Sequence, residues 1–307
     1  VFLLAVIKAV DEYAPLLRLS AASAGNDHRL GANEAPPAVV SIFIGNELQA
    51  VIDALENGTK FSSSPDCEFE IGVDALPNFP KDTTDRNRTS PFAFTGNKFE
   101  FRMLGSADSI SCTNTIINTI VAHELCQFAD ELEKADNFEK ALKALLIKTI
   151  KNHKQIVFNG NGYADEWLEE AVNVRKLPNL VSTVDALPEY TRPEFVSMFE
   201  KFKVYTATEI NSRTEILLEN YSKVINIEAL TMIDMCRKKI IPAVISYTKS
   251  LCDAVISKNA IGIDAKLEKK MAQKLNELTE NIADGVDILD NKVILAQSKP
   301  EGVEMAK

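Results

Sequence analysis

Residues 206–258 are rich in helix formers and interrupted mainly by Pro242. Gly262 then marks a turn, and 264–296 reads as helix again. Two long amphipathic helices joined by a short turn pack antiparallel as a hairpin. The last hundred residues are therefore expected to form a helical module, whose plainest use is packing or subunit contact. The helical pattern starts further upstream, at about residue 111. Residues 111–134 have Ser111 as a candidate N-cap, a second helix is expected over 137–156, and a third follows the Asn159–Gly162 loop at 164–175. Pro178, Pro188 and Pro193 punctuate shorter helices beyond it.

Residues 19–110 have a different character and carry most of the glycine and proline. Short β-prone runs lie at 38–45, 67–74 and 98–104, with a helix expected between them at 46–56. The run at 98–104 alternates Phe99, Phe101 and Met103 with Lys98, Glu100 and Arg102, so a strand there places the three charged residues on one face. At the start, VFLLAVI ends at Lys8, too short to span a bilayer. No initiating Met and no basic stretch precede it, as a signal peptide requires. Phe2, Leu3, Val6, Ile7 and Val10 follow helical spacing, which reads as one face of a helix cut from a longer chain.

A net charge of −10 argues against nucleic acid or an anionic membrane as the main partner. Cys67, Cys112, Cys126, Cys236 and Cys252 make an odd number with no CxxC pair, which suits free thiols in a reducing cytosol. His28, His123 and His153 are scattered and spell no histidine-rich metal site. His123–Glu124 and Trp167 read as structural.

Two clusters can carry chemistry. Asn26–Pro37 (NDHRLGANEAPP) is a polar, charged stretch flanked by apolar helix and strand, a loop of the kind that holds binding groups. Asp85–Ser90 (DRNRTS), followed by Lys98–Arg102 (KFEFR), brings together three arginines, a lysine and a carboxylate. Arginine forks match carboxylate and phosphate oxygens. A glutamate flanked by Lys98 and Arg102 suits a hard divalent cation beside phosphate. Neither cluster matches a Gly-rich phosphate loop.

Together the clusters resemble glutamine synthetases. Asn26-Asp27-His28-Arg29-Leu30 with Glu34-Ala35-Pro36 looks like the family's flap segment, Asn87-Arg88-Thr89-Ser90 like its Asn-Arg-Ser element, and Lys98–Arg102 like its Arg-Ile-Glu-x-Arg strand, all in the family's order. The strings GNDHRLGANEAPPA and TGNKFEFRMLGSADS are similar in particular to the type III class. The resemblance implies an α+β fold: the C-terminal part of a catalytic domain with a few mostly antiparallel strands over 1–222, then a helical extension over 223–307.

It also implies residue roles. Arg29 would clamp the glutamate carboxylate, and Glu34 would close a flap and shape an ammonium pocket. Arg88 would contact the transferred phosphoryl group and the nucleotide, with Lys98 beside it. Glu100 would ligate a divalent cation, and Arg102 would steady the phosphorylated intermediate. The implied activity is ATP-dependent glutamate–ammonia ligation through γ-glutamyl phosphate, with ATP and Mg²⁺ or Mn²⁺ as cofactors. The parent would be a cytoplasmic, dodecamer-like homo-oligomeric ring taking glutamate, ammonium and ATP, with no nucleic-acid or membrane partner. Rival readings are a γ-glutamyl-amine ligase of the same family and a non-catalytic scaffold or regulatory homologue.

Three departures stand out. The Arg29–Glu34 spacing is one residue short of the common bacterial class, Ala93 stands where a second arginine is usual, and 46–85 is an insertion relative to shorter classes. With one metal carboxylate in view, the chain by itself is expected to make no glutamine.

Overall fold

A computed structural model of the chain describes residues 1–32, 35–61, 68–69, 79–80, 90–300 and 302–306. Helix α1 (Phe2–Glu12) is buried well beyond one face: Leu4, Ala5, Val6, Ile7, Ala9 and Val10 are all inside. The sequence reading gave it a single apolar face, including Phe2. Instead Phe2 is exposed and the helix is a central element, with Ala5 packed against Phe128 and Leu145. Helix α2 (Ala14–Ser20) is buried throughout, with Pro15 in its first turn, where a missing N–H costs nothing. Ser23 then caps α3 (Ala24–Arg29), its Oγ accepting from the Asn26 amide. The stretch expected as a loop from Asn26 therefore begins as a capped helical turn.

Strand β1 (Ile42–Phe43) leads through Gly45 into α4 (Asn46–Asn57), close to the expected 46–56. Strands β2 (Glu68–Phe69) and β3 (Phe79–Pro80) pair antiparallel. Strands β4 (Phe92–Phe94) and β5 (Phe99–Phe101) form a hairpin. The main sheet has the order β1-β4-β5, with β1 and β4 parallel and β4 and β5 antiparallel, so among the described residues two of the three strand pairings are antiparallel. A parallel neighbour demands a crossover, and the crossover here contains α4.

Helices α5 (Ile110–Glu133) and α6 (Phe138–His153) pack on α1. The cap of α5 is Ser109, not Ser111: Ser109 has the extended backbone a cap needs, and its Oγ accepts from the Ser111 amide. Helix α7 (Asp165–Glu169) runs into a π-turn at Glu170–Val174. Trp167 is packed, as its sequence context suggested: its ring stacks on Phe158 at 3.6 Å, with the Arg175 guanidinium 4.9 Å from its centre. Helices α8 (Thr183–Ala186) and α9 (Pro193–Lys201) complete this part. The architecture is α+β, a small mixed sheet among helices followed by more helices.

The chain divides into two units, Val1–Thr214 and Glu215–Lys307. Helix α10 (Ala207–Met235) continues through a π-turn (Cys236–Ile240) into α11 (Ile241–Ala260). Pro242 was expected to interrupt this stretch. The wider turn just before it accommodates a residue with no N–H to donate and a bulky ring, so the helix carries on. The π-turn also resets the packing register. Ala229, Ile233 and Cys236 turn inward at helical spacing, then Ile241, Val244, Thr248, Leu251 and Val255 do the same. The step from Cys236 to Ile241 absorbs the extra residue, so one seam stays on the neighbouring helix. That neighbour is α12 (Lys266–Gln297), entered through Gly262 at φ +79°. Links from Lys258 to Glu268, Arg237 to Asp287 and Asp290, and Gln297 to Asn226 run outward from the turn. That order establishes the antiparallel hairpin the sequence predicts.

Candidate functional site

Period-2 alternation does its work in β5. Phe99 and Phe101 pack tilted against Phe92, with ring centres at 5.8 and 6.1 Å, and Phe99 also meets Phe94 and Phe2, while Met103 is fully buried. The opposite face receives Lys98, Glu100 and Arg102. Arg102 donates to Glu100 Oε2 from Nε at 3.2 Å and from Nη2 at 3.0 Å, and Lys98 Nζ lies 3.3 Å from Oε1. The Arg102 hydrogen bonds, opposed by slight desolvation and helped by Lys98, hold the Glu100 carboxyl below the usual range. It is an anion at neutral pH. Lys98 and Glu100 retain solvent access on this face of β5. Ala93 sits directly across from Glu100 and is fully buried, so this central-strand position has no room for an arginine.

Arg29 reaches this row from α3. Its Nη1 donates to Met103 O at 2.8 Å and Asn26 Oδ1 at 3.0 Å, and its Nη2 donates to Arg102 O at 3.3 Å. Asn26 is buried and donates from Nδ2 to Ala21 O and Met103 O. Asp27, its neighbour, accepts from Arg18, from the Thr183 amide and from Thr183 Oγ1. Arg18 adds bonds to Leu180 O and Val181 O. The first motif is thus an anchoring device as well as a candidate site: Asn26 fixes the exit of β5, and Asp27 fixes α3 to the start of α8. Sequence reading missed Asn26, Asp27 and Arg18 in these roles. The available signal was an arginine at position 18 inside an otherwise apolar helix.

The structure brings Arg29, Lys98, Glu100 and Arg102 together along one strand end. Glu34 and Arg88 lie outside the described residues. Gly31 sits at φ +79° and donates its amide to Pro36 O at 3.0 Å. As a cation ligand, Glu100 keeps a lone pair free on Oε1, because Oε2 accepts both Arg102 bonds. Among the described residues no cluster of three acidic, histidine or cysteine side chains forms, so Glu100 fits as one ligand of a hard cation and not as a whole site. His123–Glu124 is structural, with the Glu124 carboxylate fully buried against Lys8.

The strand β5 presents cation, carboxylate and guanidinium in register, with a second arginine tied to its end, in an α+β protein. Residues 141–259 match the family model of the glutamine synthetase C-terminal domain. The full chain is 41% identical to a glutamine synthetase of Butyrivibrio fibrisolvens, of which it covers 44%. Over 83% of its length it is 42% identical to a type-3 glutamine synthetase of Dictyostelium discoideum, covering 35% of that protein. Over 94% it is 35% identical to a glutamine synthetase of Bacteroides fragilis (strain YCH46), covering 40%. The chain belongs to the glutamine synthetase family, and it spans less than half the length of the curated relatives it matches.

Proposed function

We propose that this chain supplies the glutamate- and phosphate-facing strand of an ATP-dependent glutamate–ammonia ligase. The observation that carries the reading is the Lys98–Glu100–Arg102 row, with Arg29 tied to its end. In this reading ATP phosphorylates the side-chain carboxylate of glutamate, ammonia attacks the acyl phosphate, and phosphate leaves. A divalent cation, Mg²⁺ or Mn²⁺, would be held in part by Glu100 and would supply positive charge to the crowded phosphate oxygens. Arg102 turns from Glu100 toward the acyl phosphate, and Lys98 meets nucleotide oxygens as a point charge. Glu100 stays ionised and would hold the cation through Oε1. Arg29 holds the strand end in place and has donors left for a carboxylate. Arg88 would take the transferred phosphoryl group, and Glu34 would close the flap over ammonium. The remaining cation ligands come from outside the residues described, and a cytoplasmic homo-oligomeric ring completes the proposal.

The test is glutamate- and ammonium-dependent phosphate release by the full-length protein that contains this chain. Glu100→Ala is expected to lose about 100-fold or more in rate, as for removal of a group aimed at developing charge, with partial recovery at high Mn²⁺. Undiminished turnover in that variant would sink the assignment. The 307-residue chain assayed by itself is expected to show no turnover.

A further inference from the structure

The Arg29 guanidinium is held by neutral oxygens: Met103 O, Asn26 Oδ1 and Arg102 O. Both hydrogens of Nη1 and one of Nη2 are used in this way. Nε–H and the second Nη2 hydrogen remain for a ligand. These two nitrogens share one edge of the fork, the edge that can meet a carboxylate with two parallel bonds. The other arginines nearby differ. Arg18 is paired with Asp27, and Arg102 with Glu100. Among the described residues no carboxylate pairs with Arg29. Asp27, two positions before it, turns to Arg18 and Thr183, and Asp108 accepts from Ser23 Oγ at 3.3 Å. Arg29 is half-buried, so its uncompensated charge is less screened than one in open water.

Asn26 makes this arrangement possible. The two residues stand three apart on α3, which places them on one face. Asn26 is 2% exposed and all its polar atoms are engaged. Nδ2 donates to Ala21 O at 2.6 Å and to Met103 O at 2.8 Å, and Oδ1 accepts from Arg29. A flipped amide would set Oδ1 against two carbonyls and Nδ2 against a guanidinium, so the network fixes its orientation. Amide and guanidinium meet on the same Met103 carbonyl, one residue beyond Arg102. That triangle sets the distance from the Arg29 fork to the Lys98–Glu100–Arg102 row. The backbone also closes over the amide: a Cβ on Gly105 would come within 2.7 Å of Asp108 Oδ2 and 3.5 Å of Asn26 Oδ1. A carboxylate in place of the amide would have the same shape but would neutralise Arg29.

We infer that Asn26 is a positioning residue for substrate glutamate: its neutral amide fixes the Arg29 fork at the end of β5 and leaves the arginine's charge free for the substrate carboxylate. This rests on the ligase reading above.

The experiment uses the full-length protein that contains this chain. Phosphate release is measured against glutamate and against ATP, glutamate binding is measured by calorimetry, and circular dichroism checks folding. Asn26→Asp is expected to raise both KM and Kd for glutamate by about tenfold or more, the scale of one charge-assisted hydrogen bond. KM for ATP should stay within about twofold, because binding of the nucleotide does not draw on Arg29. Asn26→Ala should raise KM for glutamate less than Asn26→Asp does. A purely structural role predicts the reverse order, since Asn26→Asp is the isosteric change. In an Arg29→Ala background, Asn26→Asp should add no further rise. If Asn26→Asp does not fold, Asn26→Ala carries the test, and its rise must vanish in the same background. An unchanged KM for glutamate, equal rises for glutamate and ATP, or additive effects with Arg29→Ala overturn the inference while wild-type turnover upholds the ligase reading. A wild type without turnover, whose glutamate binding still weakens in Asn26→Asp, overturns the ligase reading and upholds the role of Asn26. A wild type that does not bind glutamate overturns both.

Discussion

Arg18 and Asp27 form an ion pair at 2.9 Å, with the Arg18 side chain 1% exposed and Asp27 13%. The same aspartate accepts both donors of Thr183, so one carboxylate holds α2, α3 and the start of α8 together. Removing one partner of such a pair strands a charge that water cannot reach. Asp27→Ala is therefore expected to lower stability by about 3–5 kcal/mol, read as a shift of the urea midpoint with an unchanged slope. A loss below about 1 kcal/mol would show that the pair behaves as a surface pair.

Glu100 is expected to titrate below an ordinary glutamate, chiefly because Arg102 hydrogen-bonds its ionised form. Its folded pKa is depressed from the ordinary 4.5, so the stabilisation is present above that value and is lost as pH falls through the depressed one. The side chain is about one-third exposed, and solvent screens much of the energy. The readout is therefore the carboxyl carbon shift in an NMR titration. Arg102→Ala should move the midpoint upward toward the ordinary value. An unmoved midpoint would remove Arg102 as the cause.

How much of this was legible beforehand follows from which residues carried periodic signals. The alternation at 98–103 separates the charged face of β5 from the aromatic one, and on the charged face Lys98 and Glu100 keep solvent access while Arg102 is mostly covered. The long helices were legible because their apolar spacing runs over many turns. The anchoring of Asn26 and Asp27 was not, because their partners lie far away in sequence: Met103, and Thr183 beside Leu180 and Val181. No local pattern announces a bond across such distances. The π-turn before Pro242 was equally hidden. Proline says that a regular helical hydrogen bond must be lost, but whether the helix stops or widens depends on the seam that α12 offers.

Asp11 shows the opposite pH sign. Burial pushes its carboxyl up from 3.8, against the lowering effect of the His153 hydrogen bond and charge, with Glu12 pushing it further up. The His153 Nδ1 lies 2.8 Å from Oδ2, and Gln155 donates to the same oxygen at 2.7 Å. A raised folded pKa means that the favourable contribution is fully present below about 3.8 and is lost as pH rises through the folded value. Asp11→Asn should therefore flatten the fall in stability just above that pH, measured by chemical denaturation at half-unit steps. A slope equal to that of wild type would assign the dependence to other groups.

The hairpin core is small: Ile233, Val286 and Val293 are buried, with Ala229, Cys236 and Leu289 packed around them. A two-helix layer is thin, and besides these only Leu218, Leu251 and Ala265 are buried apolar residues among the described residues of this unit, so each side chain of the cluster carries a sizeable share of its stability. Ile233→Ala removes atoms from the centre of that cluster and is expected to cost about 2–4 kcal/mol. Ile227 lies on the same helix but is 62% exposed, so Ile227→Ala should stay within about 0.5 kcal/mol of wild type. Hydrogen exchange separates the two units in one experiment. Amides of α11 and α12 should lose protection in Ile233→Ala, while those of α1 and α5 should keep it. Equal loss in both sets would mean that the two units unfold as one.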